Sequence, residues 1–200
     1  MLVAITGGIA EGKSTVLRWL AEWGAYTISL DQIAHALSRP QEALWQAIVA
    51  EFGQEYLLPD GELNRKQLGE AIFADHALRR RLNRISHPLI LQRMHLEIQN
   101  IQRQQPNAVV VVEVPLLIEC ALYLDFDRIV VVEAGEQFQR ARLLASGLDE
   151  KDVVKRLAAQ LPTCVKRIFA DWVVWNREHL EQTREQSWRI WQELQQEIAK

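Results

Sequence analysis

Leu2-Val3-Ala4-Ile5-Thr6-Gly7-Gly8-Ile9-Ala10-Glu11-Gly12-Lys13-Ser14-Thr15 is the stretch on which the fold turns. An apolar run enters Gly-x-x-x-x-Gly-Lys-Ser, and a helical pattern leaves it, so the stretch reads as strand, phosphate-binding loop and helix. The chemistry needs these residue types at this spacing. Gly7, Gly8 and Gly12 let backbone N–H groups turn inward around phosphate oxygens, in a cradle shared with Ala10, Glu11 and Thr15. Lys13 reaches the β- and γ-phosphates, and the Ser14 hydroxyl can ligate Mg²⁺. The competing reading is a fortuitous glycine-rich turn.

Further runs of the same kind follow at Tyr26–Ser29, Val109–Val112 and Ile129–Val132, with a weaker one at Trp172–Val174. Continuous valine and isoleucine, rather than alternation, indicates strands covered on both faces, as in parallel sheets. Helical patterns separate the runs, which predicts an α/β fold: a five-stranded parallel sheet with helices on both faces. Between the second and third strands, helical patterns at Gln41–Phe52, Arg65–Phe73 and Leu78–Arg103 surround a turn signal at Pro59-Asp60-Gly61. So long an excursion reads as an inserted helical lobe able to close over a second substrate. The expected organisation is a single unit: a nucleotide-binding core at 1–30 plus 106–200, a helical lobe at about 31–105, and a lid at about 137–160.

The lid rests on two polar helices, Gln137–Ala145 and Glu150–Gln160, which carry Arg140, Arg142, Lys151, Lys155 and Arg156. Either they are a solvated pair with ordinary i,i+4 charges, or a mobile element whose arginines meet triphosphate charge. The last helix, Glu178–Ala199, sets Trp188, Trp191, Leu194 and Ile198 at helical spacing, the mark of a core-facing stripe.

Composition bounds the rest. The chain has 200 residues, 48% of them hydrophobic, enough for one sizeable core. A net charge of −3 leaves no basic footprint for nucleic acid. The most apolar stretch, Ala108–Ile118, is broken by Glu113 and Pro115 and is too short to span a bilayer. Two unpatterned cysteines, Cys120 and Cys164, suit a reducing compartment, and a cytoplasmic protein is expected. The five histidines show no metal-ligand spacing.

Phosphoryl transfer to a hydroxyl needs in-line positioning, charge neutralisation and usually a carboxylate near the attacking oxygen. In open parallel sheets ligands lie beyond the carboxyl ends of the strands. Asp31, just after the second strand, is therefore either a base for the acceptor or a helix N-cap. Glu113, closing the third, either orients Mg²⁺ through water or is a charge at a strand end.

With these residues in view, the chain resembles the dephospho-coenzyme A kinase family along nearly its whole length. The resemblance runs through Ile5-Thr6-Gly7-Gly8-Ile9 and Leu30-Asp31-Gln32-Ile33-Ala34, then Asp60-Gly61-Glu62-Leu63-Asn64-Arg65 and His87-Pro88-Leu89-Ile90. It continues in Val114-Pro115-Leu116-Leu117-Ile118-Glu119, Gln137, Arg140, Arg156, Gln160, Lys166, Ala170-Asp171 and Asn176. The resemblance implies a phosphate-loop kinase that moves the γ-phosphoryl of ATP, with Mg²⁺, to the ribose 3′-hydroxyl of dephospho-coenzyme A, the last step of coenzyme A synthesis. It implies that Asp31 is the general base, that Thr6, Arg65, His87 and Pro88 lie in or beside the acceptor cleft, that Arg140 contacts phosphate from the lid, and that Asn176 lies near the adenine.

Departures from the family pattern mark this chain. Ala10 and Glu11 stand where glycine and serine are usual, Ser29 replaces the first acid of a paired-aspartate motif, and Arg177 replaces a glycine after Asn176. An arginine expected before the Gly-Leu of the lid is Ala145 or Ser146 here, with Arg142 a substitute from the preceding turn. A Glu11 carboxylate pointed at solvent would cost little, whereas one facing bound phosphate would weaken ATP binding. Glu11→Ser is expected to tighten that binding, and no change would mean a solvent-facing side chain. Two alternatives remain: another phosphate-loop kinase of small molecules or nucleotides, and a non-catalytic ATP-binding regulatory module. A switch GTPase is disfavoured by the absence of Asn-Lys-x-Asp.

Overall fold

A computed structural model describes residues 1–199. Five strands, β1 (Leu2–Thr6), β2 (Tyr26–Ser29), β3 (Val110–Glu113), β4 (Arg128–Glu133) and β5 (Trp172–Trp175), form one sheet in the order β2-β3-β1-β4-β5. Every pairing is parallel. The register sets Ile5 beside Glu113 and Val130, Ser29 beside Glu113, and Glu133 beside Trp175. The carboxyl ends of all five strands thus form one rim. Val3–Ile5, Val110–Val112 and Ile129–Val132 are buried without alternation, so both faces of the central strands are covered.

The chain divides into two compact units. The first, residues 1–29 and 101–200, holds the sheet. Its core joins Val3, Ile5, Val111, Val130, Val132 and Val174 to Val16, Trp19 and Leu20 of α1 (Lys13–Glu22) and to Ile190, Trp191 and Leu194 of α9 (Leu180–Ile198). The α9 stripe differs from its expected composition. Trp191 and Leu194 are buried and Ile198 is partly so, but Trp188 is 42% exposed, its ring lying edge-on to Trp23 at 4.9 Å. Thr183, Ser187 and Ile190 complete the buried face, and Trp188, one residue and about 100° round the helix from Ser187, falls at its edge.

After β4 the same unit carries α6 (Glu136–Ala145), α7 (Glu150–Ala158) and the single-turn α8 (Thr163–Lys166). Asp149 caps α7 by accepting from Asp152 N–H at 2.8 Å. The α7 helix stops at Ala158, so Gln160 lies in the connection instead of in the helix.

The second unit, residues 30–100, is helical: α2 (Leu30–Leu37), α3 (Ala43–Phe52), α4 (Arg65–Ala74) and most of α5 (His76–Gln104). Leu44, Ile48, Leu63 and Leu68 form its centre, with Leu37, Phe52, Leu82 and Ile85 packed around them. The Asp60–Arg65 motif is a local folding device. Asp60 Oδ1 accepts from Glu62 N–H, Trp45 Nε1 donates to Gly61 O, Leu57 pairs with Leu63, and Asn64 caps α4 by accepting from Gln67 N–H. Pro88 sits inside α5, where it withholds one helical hydrogen bond. Among the described residues no helix is long and apolar enough to cross a membrane.

Candidate active site

The first unit concentrates functional groups on the β1–α1 turn. Gly7 and Gly8 leave β1 buried, and α1 begins at Lys13. Ala10 (φ 59°) and Gly12 (φ 94°) take left-handed conformations, costly for a residue with a Cβ. At Gly12 a side chain is excluded twice over, since a Cβ would also lie 2.0 Å from Asn176 Nδ2. Lys13 is buried, and its Nζ donates to Gly8 O at 2.8 Å. This bond holds the ammonium along the loop, above the first-turn N–H groups of a ten-residue helix, which favour an anion.

Ala10, Gly12, Lys13, Ser14 and Thr15 line a cleft of about 410 Å³ together with Glu113, Arg142, Asn176 and Leu180. Glu113, half-buried at the end of β3, accepts from Ser29 Oγ at 3.1 Å across the β2–β3 register. The departure at Ser29 thus supplies a neutral donor to Glu113, where a second acid would have opposed it. Asn176 is buried and donates from Nδ2 to Glu11 O at 2.8 Å. Arg142 points back to the same place: Nη1 donates to Ala10 O and Nη2 to Asn176 O, each at 2.9 Å. Arg142 therefore braces the loop and the segment after β5 while lining the cleft beside Lys13.

Glu11 overturns the expectation attached to it. Its side chain is fully buried, turned into the protein and away from any phosphate in the cradle. Ala134 N–H donates to Oε2, and Thr163 Oγ1 donates to Oε1 at 2.8 Å. Burial pushes its carboxyl up from the usual range, with a small further push from Glu133, while the two donors pull the other way. Thr6, also fully buried at the end of β1, has a hydroxyl oxygen with no hydrogen-bond partner.

Arg140 lines a second cavity of about 480 Å³ with Gly8, Ile9, Gln139 and residues of α7. It pairs with Glu150 of α7 and lies 3.9 Å from Glu136 on its own helix, so it ties α6 to α7. Gln139, Gln160 and Thr163 were missed as loop partners. Gln160 was marked only as part of the family resemblance, with no role, and Gln139 and Thr163 were not marked at all, since each meets the loop only through the fold. Lys166 is likewise tertiary: fully buried, its Nζ donates to Pro115 O at 2.7 Å and pairs with Glu119 at 2.9 Å. Asp171 accepts from Ile129 N–H at 2.7 Å, which explains its place before β5.

The remaining expected residues lie in the second unit. Asp31 is the second residue of α2, exposed, and two residues beyond the end of β2. It lies inside the first helical turn, one residue past the start of α2 at Leu30. Arg65 opens α4 and donates from Nη2 to Ser38 Oγ at 2.6 Å. His87 is half-buried and Pro88 exposed in mid-α5.

A lysine-bearing loop between β1 and α1, on a parallel sheet with β1 at its centre and acids at the strand rim, defines the phosphate-loop kinases. Within that class the chain belongs to the dephospho-CoA kinase family, whose model, described as CoaE, dephospho-CoA kinase, matches residues 1–182. It is 40% identical over 194 residues to the dephospho-CoA kinase of Geobacter metallireducens, covering 96% of this chain and 96% of that protein. A crystal structure from Thermus thermophilus matches at a TM-score of 0.82 and 28% identity, over 95% of each chain. The dephospho-CoA kinase of Campylobacter jejuni shares the fold at a TM-score of 0.65 and 23% identity, over 96% of each chain.

Proposed function

We infer that this chain is a dephospho-CoA kinase: it transfers the γ-phosphoryl of ATP to the ribose 3′-hydroxyl of dephospho-coenzyme A, giving coenzyme A and ADP, the last step of coenzyme A synthesis. The observation that carries this reading is the convergence of Lys13, Ser14, Glu113 and Asn176 on one cleft in a chain of this family.

ATP lies with its phosphates against the loop N–H groups and Lys13, and with its base toward Asn176. A hydroxyl at Ser14 and a carboxylate at Glu113, both lining the cleft, form the hard-oxygen donor set that Mg²⁺ prefers. Ser14 would hold the ion directly and Glu113 through water; bound there, Mg²⁺ neutralises charge on the transferring phosphate. Ser29 keeps Glu113 oriented for that task.

Asp31 is the general base. Its support is its place two residues past the carboxyl end of β2, on the ligand-binding rim of an open parallel sheet. As the 3′-oxygen bonds to the γ-phosphorus and the bond to the ADP oxygen breaks, the hydroxyl proton passes to the Asp31 carboxylate. The 30–100 unit takes the acceptor, with Arg65, His87 and Pro88 in or beside its cleft; the Thr6 hydroxyl, buried at the end of β1 with no hydrogen-bond partner, is a further candidate substrate contact. Arg140, on the α6–α7 lid, exchanges Glu150 for phosphate oxygens during transfer. The two free cysteines fit a reducing cytoplasm.

ADP release should require dephospho-coenzyme A when that compound, nucleoside monophosphates and small alcohols are compared with ATP as donor. Turnover with another acceptor, or ATP binding without turnover, would replace this reading with one of its two rivals. Asp31→Asn should lower kcat by about 10²–10⁴ while ATP binds as before; an unchanged kcat would return Asp31 to a helix-terminal role.

A further inference from the structure

The phosphate loop is held from behind by the chain that follows β4. Gly8 N–H donates to Thr163 Oγ1 at 3.2 Å and Ile9 N–H to Gln160 Oε1 at 2.9 Å, while Gln139 Nε2 donates to Ile9 O at 2.8 Å. A Cβ on Gly8 would lie 2.5 Å from Gln139 Nε2 and 2.9 Å from Thr163 Oγ1, so these side chains rest on bare backbone. Glu11 closes the set by accepting from Thr163 Oγ1 and from Ala134 N–H.

The direction of each bond is fixed by Glu11. A threonine hydroxyl has one proton and two lone pairs. With that proton given to a carboxylate, which only accepts, the lone pairs are left for Gly8 N–H. The second carboxylate oxygen pins the Ala134-Gly135 turn that opens α6. Burying a carboxylate opposes folding, so Glu11 is no ordinary core residue. Both of its carboxylate oxygens are already engaged by protein donors, although the residue borders the cavity of about 480 Å³ that Arg140 lines.

We propose that Glu11 is a positioning residue: through Thr163 and Ala134 its carboxylate locks the phosphate loop to α8 and the β4–α6 turn, and thereby sets the affinity for the nucleotide's phosphates. This rests on the kinase reading above and deepens it. Glu11 takes no part in bond making; with Gly8 N–H and Ile9 N–H spent on Thr163 and Gln160, it fixes the path of the loop backbone and so the direction of the N–H groups left for phosphate. Thr163 is its partner in the same network, and their effects are not independent.

The test uses the full chain, with steady-state kinetics in ATP and calorimetric titration with ADP. Glu11→Ala and Thr163→Val should each raise KM for ATP, and the dissociation constant for ADP, by about tenfold, with kcat within about twofold. The double variant should be no worse than the weaker-binding single, as expected of residues in one network. Glu11→Gln, which keeps one acceptor oxygen, should recover most of the affinity. Unchanged ADP affinity in the folded single variants, or effects that multiply in the double, would overturn the proposal. Thr163→Val, which removes only the hydroxyl, decides the matter alone if Glu11→Ala does not fold. A wild-type chain that binds ADP but does not phosphorylate dephospho-coenzyme A would sink the kinase reading, and the ADP affinities would still judge Glu11.

Discussion

Glu11 trades stability for geometry, and its pH dependence has a definite sign. Desolvation raises its carboxyl above the unfolded value, against the pull of Ala134 N–H and Thr163. Below the ordinary carboxylate range the group is protonated in both states and contributes nothing. As pH rises through that range the unfolded chain releases its proton first, the folded chain holds more protons, and stability falls. Glu11→Gln should therefore gain on wild type in melting temperature as pH rises from about 4, the ordinary carboxylate range, toward neutrality. A constant difference across that window would show that the buried charge carries no such cost. At this scale the loop lysine, Ser14, Glu113 and Asn176 were legible because motif and strand-end position mark them. Glu11's direction was not, because spacing cannot tell whether a loop side chain faces ligand or interior. Arg142, Gln139 and Thr163 were out of reach for the same reason: their partners, Ala10, Ile9 and Gly8, are more than a hundred residues away in sequence.

The α8 turn is only four residues long, yet its two ends hold different parts of the site's frame. Thr163 holds the phosphate loop, and Lys166 holds the Val114–Glu119 segment directly after Glu113. Lys166 is fully enclosed whereas the Glu119 side chain keeps 19% of its surface in water, so the two ends of this pair are not equivalent. Glu119→Gln leaves a buried ammonium without its counter-charge and should cost about 3–5 kcal/mol; Lys166→Met should cost less, because the stranded carboxylate can hydrate. Chemical denaturation of the two variants checks the order, and equal losses would contradict it. Helices and strands were readable to within a residue or two: β2 matches, and α5 runs from His76 where a start at Leu78 was expected. The end of α7 was placed two residues late, at Gln160 instead of Ala158, since helical periodicity does not register that a polar side chain is wanted elsewhere.

Across the whole molecule, the five parallel strands and the covering of the central ones follow from unbroken valine and isoleucine, and that much was legible. The order β2-β3-β1-β4-β5 was not, because apolar runs do not say which strand lies beside which. The lining of the core was less so, as Trp188 shows. Leu194, fully enclosed against the sheet, lies far down α9 from the cleft residue Leu180. Leu194→Ala should cost about 2–5 kcal/mol of stability and leave KM for ATP unchanged at temperatures where the variant is folded; a raised KM would mean that core and cleft are coupled. The sheet order also has a consequence in time. Val3, on β1, lies between Val111 of β3 and Arg128 of β4, so β1 has no neighbour in the sheet until the much later β3 segment has been made. The braces on the loop behind it, from Gln139 to Asn176, are translated later still. A nascent chain therefore carries its phosphate-binding sequence long before it has a phosphate-binding site.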